Sequence, residues 1–274
     1  MAGVVPRLYV HLGLAKTGTT SLQHFLARNA AALKAHVVVH TPAAGSPTQK
    51  MGRAAMEFSL DPSPERQAGL VAAIAAVRAG LVATGQDCLI SHENLPGAVP
   101  GNGATRTLYP MILRILDLLD QGLAPMVPHY VMYLRDMQDW KRSVYGQVVI
   151  SDRYAQTHDR YQADMADCGT WGELEARIRG HVGANRLSLF WLEDEPDPRF
   201  PGQQLLRLAG LAQTDIAALK PISKRNTRMA PAALEFVRQM NQLDLNAPVQ
   251  LKLVDLVSKH QALFNPAWDG RSDG

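Results

Sequence analysis

Short apolar runs and stripes of 3.6-residue period alternate along this chain, and each run ends in a turn signal. Leu8 to Leu12, closed by Gly13, reads as a buried parallel strand, and Leu22, Phe25, Leu26 and Leu33 then fall on one helical face. Val37 to Val39 is a short β-branched strand. The stretch from Thr41 to Pro64 is rich in Pro, Gly, Ser and Ala and reads as a loop or mobile flap. Ser63 with Pro64 and Glu65 starts a helix whose stripe of Leu70, Ile74, Val77 and Leu81 stops at Gly85. Asp87 to Glu93 is a second buried strand that turns polar at its carboxyl end. A loop from Asn94 to Thr105 precedes a helix with Ile112, Ile115, Leu116 and Leu119 inward and Gly122 as its stop.

Pro128 to Leu134 makes a further strand, followed by a helix with Met137, Trp140, Val144 and Val148 on one face. Ser151 to Gly169 is polar and irregular. Helical spacing returns from Leu174 to Val182, a strand runs from Arg186 to Glu193, and a helix covers Gln203 to Leu211. Pro231 opens a helix with Leu234, Val237 and Met240 inward, and another extends from Val249 to about Leu263. Strands alternating with helices predict an α/β fold: one domain over residues 1–268, with a central, mostly parallel sheet flanked by helices. Residues 269–274 read as a disordered tail.

The junction after Gly13 carries the chemistry. Leu14-Ala15-Lys16-Thr17-Gly18-Thr19-Thr20-Ser21 joins the first strand to the first helix. Gly13 and Gly18 let the backbone turn tightly and bring its N–H groups to an anion, and the helix start adds unpaired donors and a partial positive charge. Lys16 adds a full charge; Thr17, Thr19, Thr20 and Ser21 add short hydroxyl arms. A Walker A loop has its lysine after the second glycine, whereas Lys16 precedes Gly18.

The segment His11 to Gln23 resembles the 5′-phosphosulfate-binding loop of sulfotransferases, particularly the bacterial family that resembles the carbohydrate enzymes. A second segment, Tyr133-Leu134-Arg135-Asp136 followed by Ser143, resembles that family's other signature, a strand ending in Arg-Asp with a serine eight residues after the arginine. The resemblance implies a P-loop NTPase-like sulfotransferase fold and 3′-phosphoadenosine 5′-phosphosulfate as co-substrate. It assigns Lys16, Thr17, Gly18, Thr19, Thr20 and Ser21 to the phosphosulfate, and Arg135 with Ser143 to the 3′-phosphate. A guanidinium suits that second task because it grips a phosphate through two donors. Lys16 would neutralise the leaving group, and no metal is required by this scheme.

A general base must take the acceptor's proton at the carboxyl face of the sheet, where ligands of open parallel sheets sit. Glu93 and His92 are the candidates. Ser91 to Leu95 resembles the Ser-x-Glu-x-Leu stretch of bacterial relatives, which favours Glu93. Adjacent strand residues point opposite ways, so at most one of the two faces the site unless the strand has ended. His11 reads as structural. Two other classes stay open: a P-loop kinase or other ATP-using transferase, and a non-catalytic nucleotide-binding protein. Arg135 with Ser143 argues against the first, and Lys16 with Glu93 or His92 against the second.

Composition narrows the picture little further. A net charge of +3 over 274 residues is too small to argue for a nucleic-acid surface. Two cysteines, Cys88 and Cys168, make no disulfide framework, so a reducing, cytoplasmic setting is expected. No leader and no membrane span of roughly twenty apolar residues are read. His36 and His40, four apart, would lie roughly 13 Å apart on a strand, which sets zinc aside. The basic segment Lys220 to Arg228 reads as a solvated linker or a cover for the nucleotide. The acceptor, a carbohydrate, lipid or small molecule, is expected at the loops 41–63, 94–106 and 151–169.

Overall fold

The computed structural model describes residues 6–102, 105–223 and 229–265. The chain divides into two compact units, Met1–Met137 with Cys168–Lys224, and Gln138–Asp167 with Arg225–Gly274.

The first unit holds β1 (Leu8–Leu12), α1 (Thr19–Arg28), the single turn α2 (Ala30–Leu33), β2 (Val38–His40), α3 (Pro47–Leu60), α4 (Pro64–Thr84), β3 (Cys88–His92), α5 (Ile112–Leu123) and β4 (Pro128–Leu134). Beyond the second unit's α6 (Met137–Ser151) and α7 (His158–Asp164) it resumes with α8 (Trp171–Val182), β5 (Leu187–Trp191), α9 (Gln203–Leu208) and α10 (Gln213–Ala217). The five strands form one all-parallel sheet in the order β2-β3-β1-β4-β5. β1 and β3 are buried along their whole length, as expected of central strands covered on both faces, and their apolar runs are broken only at His11, Ser91 and His92. A polar pair meets across the sheet: His11 and Ser91 stand in register and bond through Nδ1 and Oγ at 2.8 Å.

The strand order positions the site. From β1 the chain crosses to β2 on one side, whereas from β4 it goes to β5 on the other, so the switch point lies between β1 and β4. The crevice outside the carboxyl ends of two such strands is where open α/β sheets take their ligands. One core lies between the sheet and α1, α9 and α10, with Tyr9, Phe25, Leu26, Tyr133, Leu205 and Ile216 at its centre. Asn29 fastens α1 to a distant segment, exchanging bonds with the Lys220 backbone at 2.8 and 3.0 Å.

Two segments read as loops are ordered helix. Within Thr41 to Pro64 the structure forms α3, started by the Ser46 hydroxyl accepting from the Gln49 N–H at 3.1 Å with Pro47 at the first turn. Met51, Ala55 and Phe58 give it a buried stripe that its Gly, Pro and Ser content obscured. Within 151–169, α7 is capped by Thr157. The 21-residue α4 also corrects the expectation about spans, since an 18-residue window within it has a mean hydropathy of 1.5 and passes the length and composition test for crossing a membrane. A core helix passes the same test, and Leu70, Ile74, Val77 and Leu81 are buried.

The second unit gathers α6, α7, α11 (Pro231–Met240) and α12 (Ala247–Lys259). Asn241 is its polar tie, donating to the carbonyls of Val149 at 2.7 Å and Tyr154 at 3.1 Å. Tyr145, Tyr154, Tyr161 and His158 form a ring cluster with centroids 5.1 to 6.2 Å apart. The tail at 269–274 lies outside the described residues.

Candidate functional site

The loop after β1 is built around one carbonyl. Leu14 O accepts the hydroxyls of Thr17 at 2.8 Å and Thr19 at 3.1 Å, and both threonines are buried. Those two hydroxyls shape the loop by donating inward; Thr20 is exposed and Ser21 half-buried. The backbone makes the turn at Lys16 (φ 63°) and Gly18 (φ 82°), both left-handed, and the glycine takes that conformation without the penalty a Cβ brings. Thr19, Thr20 and Ser21 open α1, so their N–H groups have no acceptor within the helix and the macrodipole favours an anion there. Lys16 is half-buried.

Gly13 is needed for a different reason. Its N–H donates to His92 O at 3.0 Å, and an added Cβ would overlap the Thr19 methyl and stand 2.9 Å from Glu93 Cα. The loop therefore begins pressed against the end of β3.

Arg135 follows β4 directly, and its Nη1 donates to the Lys16 carbonyl at 3.3 Å. The two cationic residues singled out in separate segments thus meet at the β1/β4 switch point. Trp171, the first residue of α8, donates from Nε1 to Arg135 O at 2.9 Å and fixes the backbone that presents the guanidinium. Asp136 N–H points to Glu193 at 3.4 Å, and Leu192 covers Gly18. Ser143 is half-buried on α6 in the second unit.

The two candidate bases part company at the end of β3. His92 is its last residue and is 3% exposed; Glu93 lies just beyond and is exposed. The His92 Nδ1 accepts from Asn94 N–H at 3.0 Å, which leaves the ring proton on Nε2. The ring lies under α3, where a Cβ on Gly52 would overlap it. Burial holds its pKa down to about 4, opposed by the nearby Gln49 backbone. With its proton-accepting Nδ1 taken by Asn94 and its ring buried under a helix, His92 is the worse placed of the two candidates, and Glu93 the more accessible. Burial likewise lowers His11 to about 3.

These two rings make stability depend on pH. Between about pH 4 and 6.5 each takes up a proton in the unfolded chain that it refuses in the folded one. Neither ring costs stability above pH 6.5. Below it, stability should fall by up to about 1.4 kcal/mol per pH unit for each histidine. Urea midpoints at pH 7, 5.5 and 4.5 measure this, and a flat profile would show that the rings protonate as readily folded as unfolded.

Three participants escaped the sequence reading: Tyr109, Trp171 and Arg177. Tyr109 is fully buried, and its hydroxyl accepts from the Ala15 N–H at 2.9 Å. Burial pushes the phenol well up, so it stays protonated against the opposing pull of that N–H. Arg177 on α8 donates to the carbonyls of Leu108 at 3.2 Å and Tyr109 at 2.9 Å. The only sequence signal was an aromatic residue before Pro110 and a Thr170-to-Glu173 capping box at the start of α8. Lys220 has its backbone fixed to Asn29, while Lys224, Arg225 and Arg228 lie outside the described residues.

The class defined by this fold and site is an open, all-parallel α/β protein with a glycine-bearing loop at its switch point. No protein-family model matches the chain, and no curated protein matches it. Among the described residues no group of three His, Cys, Asp or Glu side chains could hold a metal ion.

Proposed function

We propose that this protein is a sulfotransferase that moves a sulfuryl group from 3′-phosphoadenosine 5′-phosphosulfate to a hydroxyl or amine of a carbohydrate, lipid or small-molecule acceptor. The observation that carries the reading is the meeting of Arg135 with the Lys16 carbonyl beside the open N–H groups of α1. Residues of two segments that separately resemble the family's nucleotide signatures, Lys16 and Arg135, meet at the switch point of the sheet, the position where open α/β sheets take their ligands. The donor set suits a doubly anionic nucleotide: backbone N–H groups and Lys16 for one anion, and a guanidinium for a second.

When bound, 3′-phosphoadenosine 5′-phosphosulfate supplies the activated sulfuryl group. The first-turn N–H groups orient the 5′-phosphosulfate, and Lys16 offsets the charge left on the bridging oxygen as the S–O bond breaks. Arg135 selects the 3′-phosphate and so discriminates against ATP. Glu93 takes the proton from the acceptor oxygen as the new S–O bond forms. Positioning and electrostatics supply most of the acceleration, as in loose phosphoryl transfer.

Calorimetric titration tests this directly. The wild type should bind 3′-phosphoadenosine 5′-phosphate without magnesium and in preference to ADP and ATP. Arg135→Ala should weaken that binding about a hundredfold, since it deletes a charge-assisted grip. A magnesium-dependent preference for ATP would replace the proposal with the kinase reading.

A further inference from the structure

We propose that Tyr109 is a positioning residue for the anion loop, held by Arg177, and that its hydroxyl reserves the Ala15 N–H so that the loop receives its anion through the N–H groups that follow. The inference rests on the loop being the nucleotide-binding element of the preceding section.

The geometry is specific. Among the described residues three non-glycine positions have positive φ, and two of them, Lys16 (φ 63°) and Tyr109 (φ 46°), stand at either side of the Ala15-to-Tyr109 hydrogen bond. A bulky residue holds a left-handed backbone only where its surroundings over-determine it, and such positions gather where a structure must be preorganised. Tyr109 is determined at both ends. Arg177 binds its carbonyl at 2.9 Å, its ring is fully buried, and its hydroxyl ends at the loop.

The consequence is a division of labour among the loop amides. In a loop that cradles a polyphosphate, successive N–H groups turn toward the ligand. Here the Ala15 N–H is directed to a buried phenol, and the Thr17 N–H leans toward Leu14 O at 3.4 Å. The donors that face a ligand then include the N–H groups of Thr19, Thr20 and Ser21, around the start of α1, and not that of Ala15. α8 supports both halves of the arrangement, since Trp171 holds the Arg135 carbonyl and Arg177 the Tyr109 carbonyl.

The test compares wild type, Tyr109→Phe and Arg177→Gln by three readings: calorimetric binding of 3′-phosphoadenosine 5′-phosphate, ADP and inorganic pyrophosphate, the melting temperature without ligand, and amide exchange of Ala15. Tyr109→Phe keeps the ring in place and removes only the acceptor. It should weaken the tightest-binding anion roughly tenfold and speed Ala15 exchange. Arg177→Gln, an exposed substitution on the far side of Tyr109, should weaken the same anion severalfold if Tyr109→Phe fails to fold. Unchanged affinity and unchanged Ala15 exchange in a folded Tyr109→Phe would overturn the positioning role and leave the sulfotransferase reading standing. Preference of the wild type for ADP or pyrophosphate over 3′-phosphoadenosine 5′-phosphate would overturn that reading, and the Tyr109→Phe comparison with the preferred anion would still decide the positioning role. A wild type that binds none of the three probes would overturn the loop as an anion site altogether.

Discussion

Lys16→Ala is expected to lower kcat/KM for sulfuryl transfer by about a thousandfold while leaving the fold intact. The size of the effect follows from where the charge acts. In the proposed transfer Lys16 would act where negative charge develops on the leaving oxygen, and a cation there stabilises the transition state more than the ground state. The fold should survive because four bonds that hold the loop do not use the Lys16 amine: the two threonine hydroxyls on Leu14 O, the Ala15 N–H on Tyr109, and Arg135 on the Lys16 carbonyl. Alanine keeps that carbonyl and adopts the left-handed backbone no less readily than lysine. Steady-state rates with the co-substrate, alongside the melting temperature, make the comparison. A variant with near-normal kcat/KM would remove Lys16 from the reaction; one that unfolds would show that its side chain has a structural task instead.

The second large effect is on stability. Gly13→Ala should destabilise the protein by about 3 kcal/mol, or roughly 6–12 °C in melting temperature. The new methyl would overlap the Thr19 methyl and stand 2.9 Å from Glu93 Cα and 3.0 Å from His92 O. The last two are backbone atoms at the end of a central strand, so neither can swing aside. Relief requires the loop to lift from β3, which would also break the Gly13-to-His92 hydrogen bond. Gly69→Ala is the control. Gly69 lies in α4 with nothing within 4 Å of its added Cβ, and the change should stabilise by up to about 1 kcal/mol through helix propensity. Equal and small shifts from both variants would mean that the loop yields where the structure has it pinned.

Loop and sheet also explain why the two candidate bases differ. Strand alternation alone predicts that His92 and Glu93 cannot both face one side, and does not say which of them faces inward. α3 decides it. Gly52 leaves the space that the His92 ring fills, and Asn94 takes the ring's Nδ1, so the histidine is turned under the helix and the glutamate left in solvent. α3 itself was hidden in a stretch whose Gly, Pro and Ser content reads as loop, although Ser46-Pro47 is the same start signal as Ser63-Pro64 of α4.

What the sequence by itself determined is local. Apolar runs bounded by turn residues marked all five strands. Ser63-Pro64 and Pro231 marked helix starts. Two glycines around a lysine marked the loop, and a strand ending in Arg135 marked the second segment. Each is a property of neighbouring residues, set by side-chain periodicity and by the backbone freedom of glycine and proline. The tertiary structure alone decided the rest: the order of the strands, the meeting of Arg135 with Lys16 across 119 positions, the bond from Ala15 to Tyr109 across 94, and the hold of α8 on both. Each of those contacts joins one side chain, of Arg135, Tyr109, Trp171 or Arg177, to a backbone carbonyl or N–H that nearly every residue carries. The side chain shows in the sequence but its backbone partner does not, and only the folded path of the chain brings the two together.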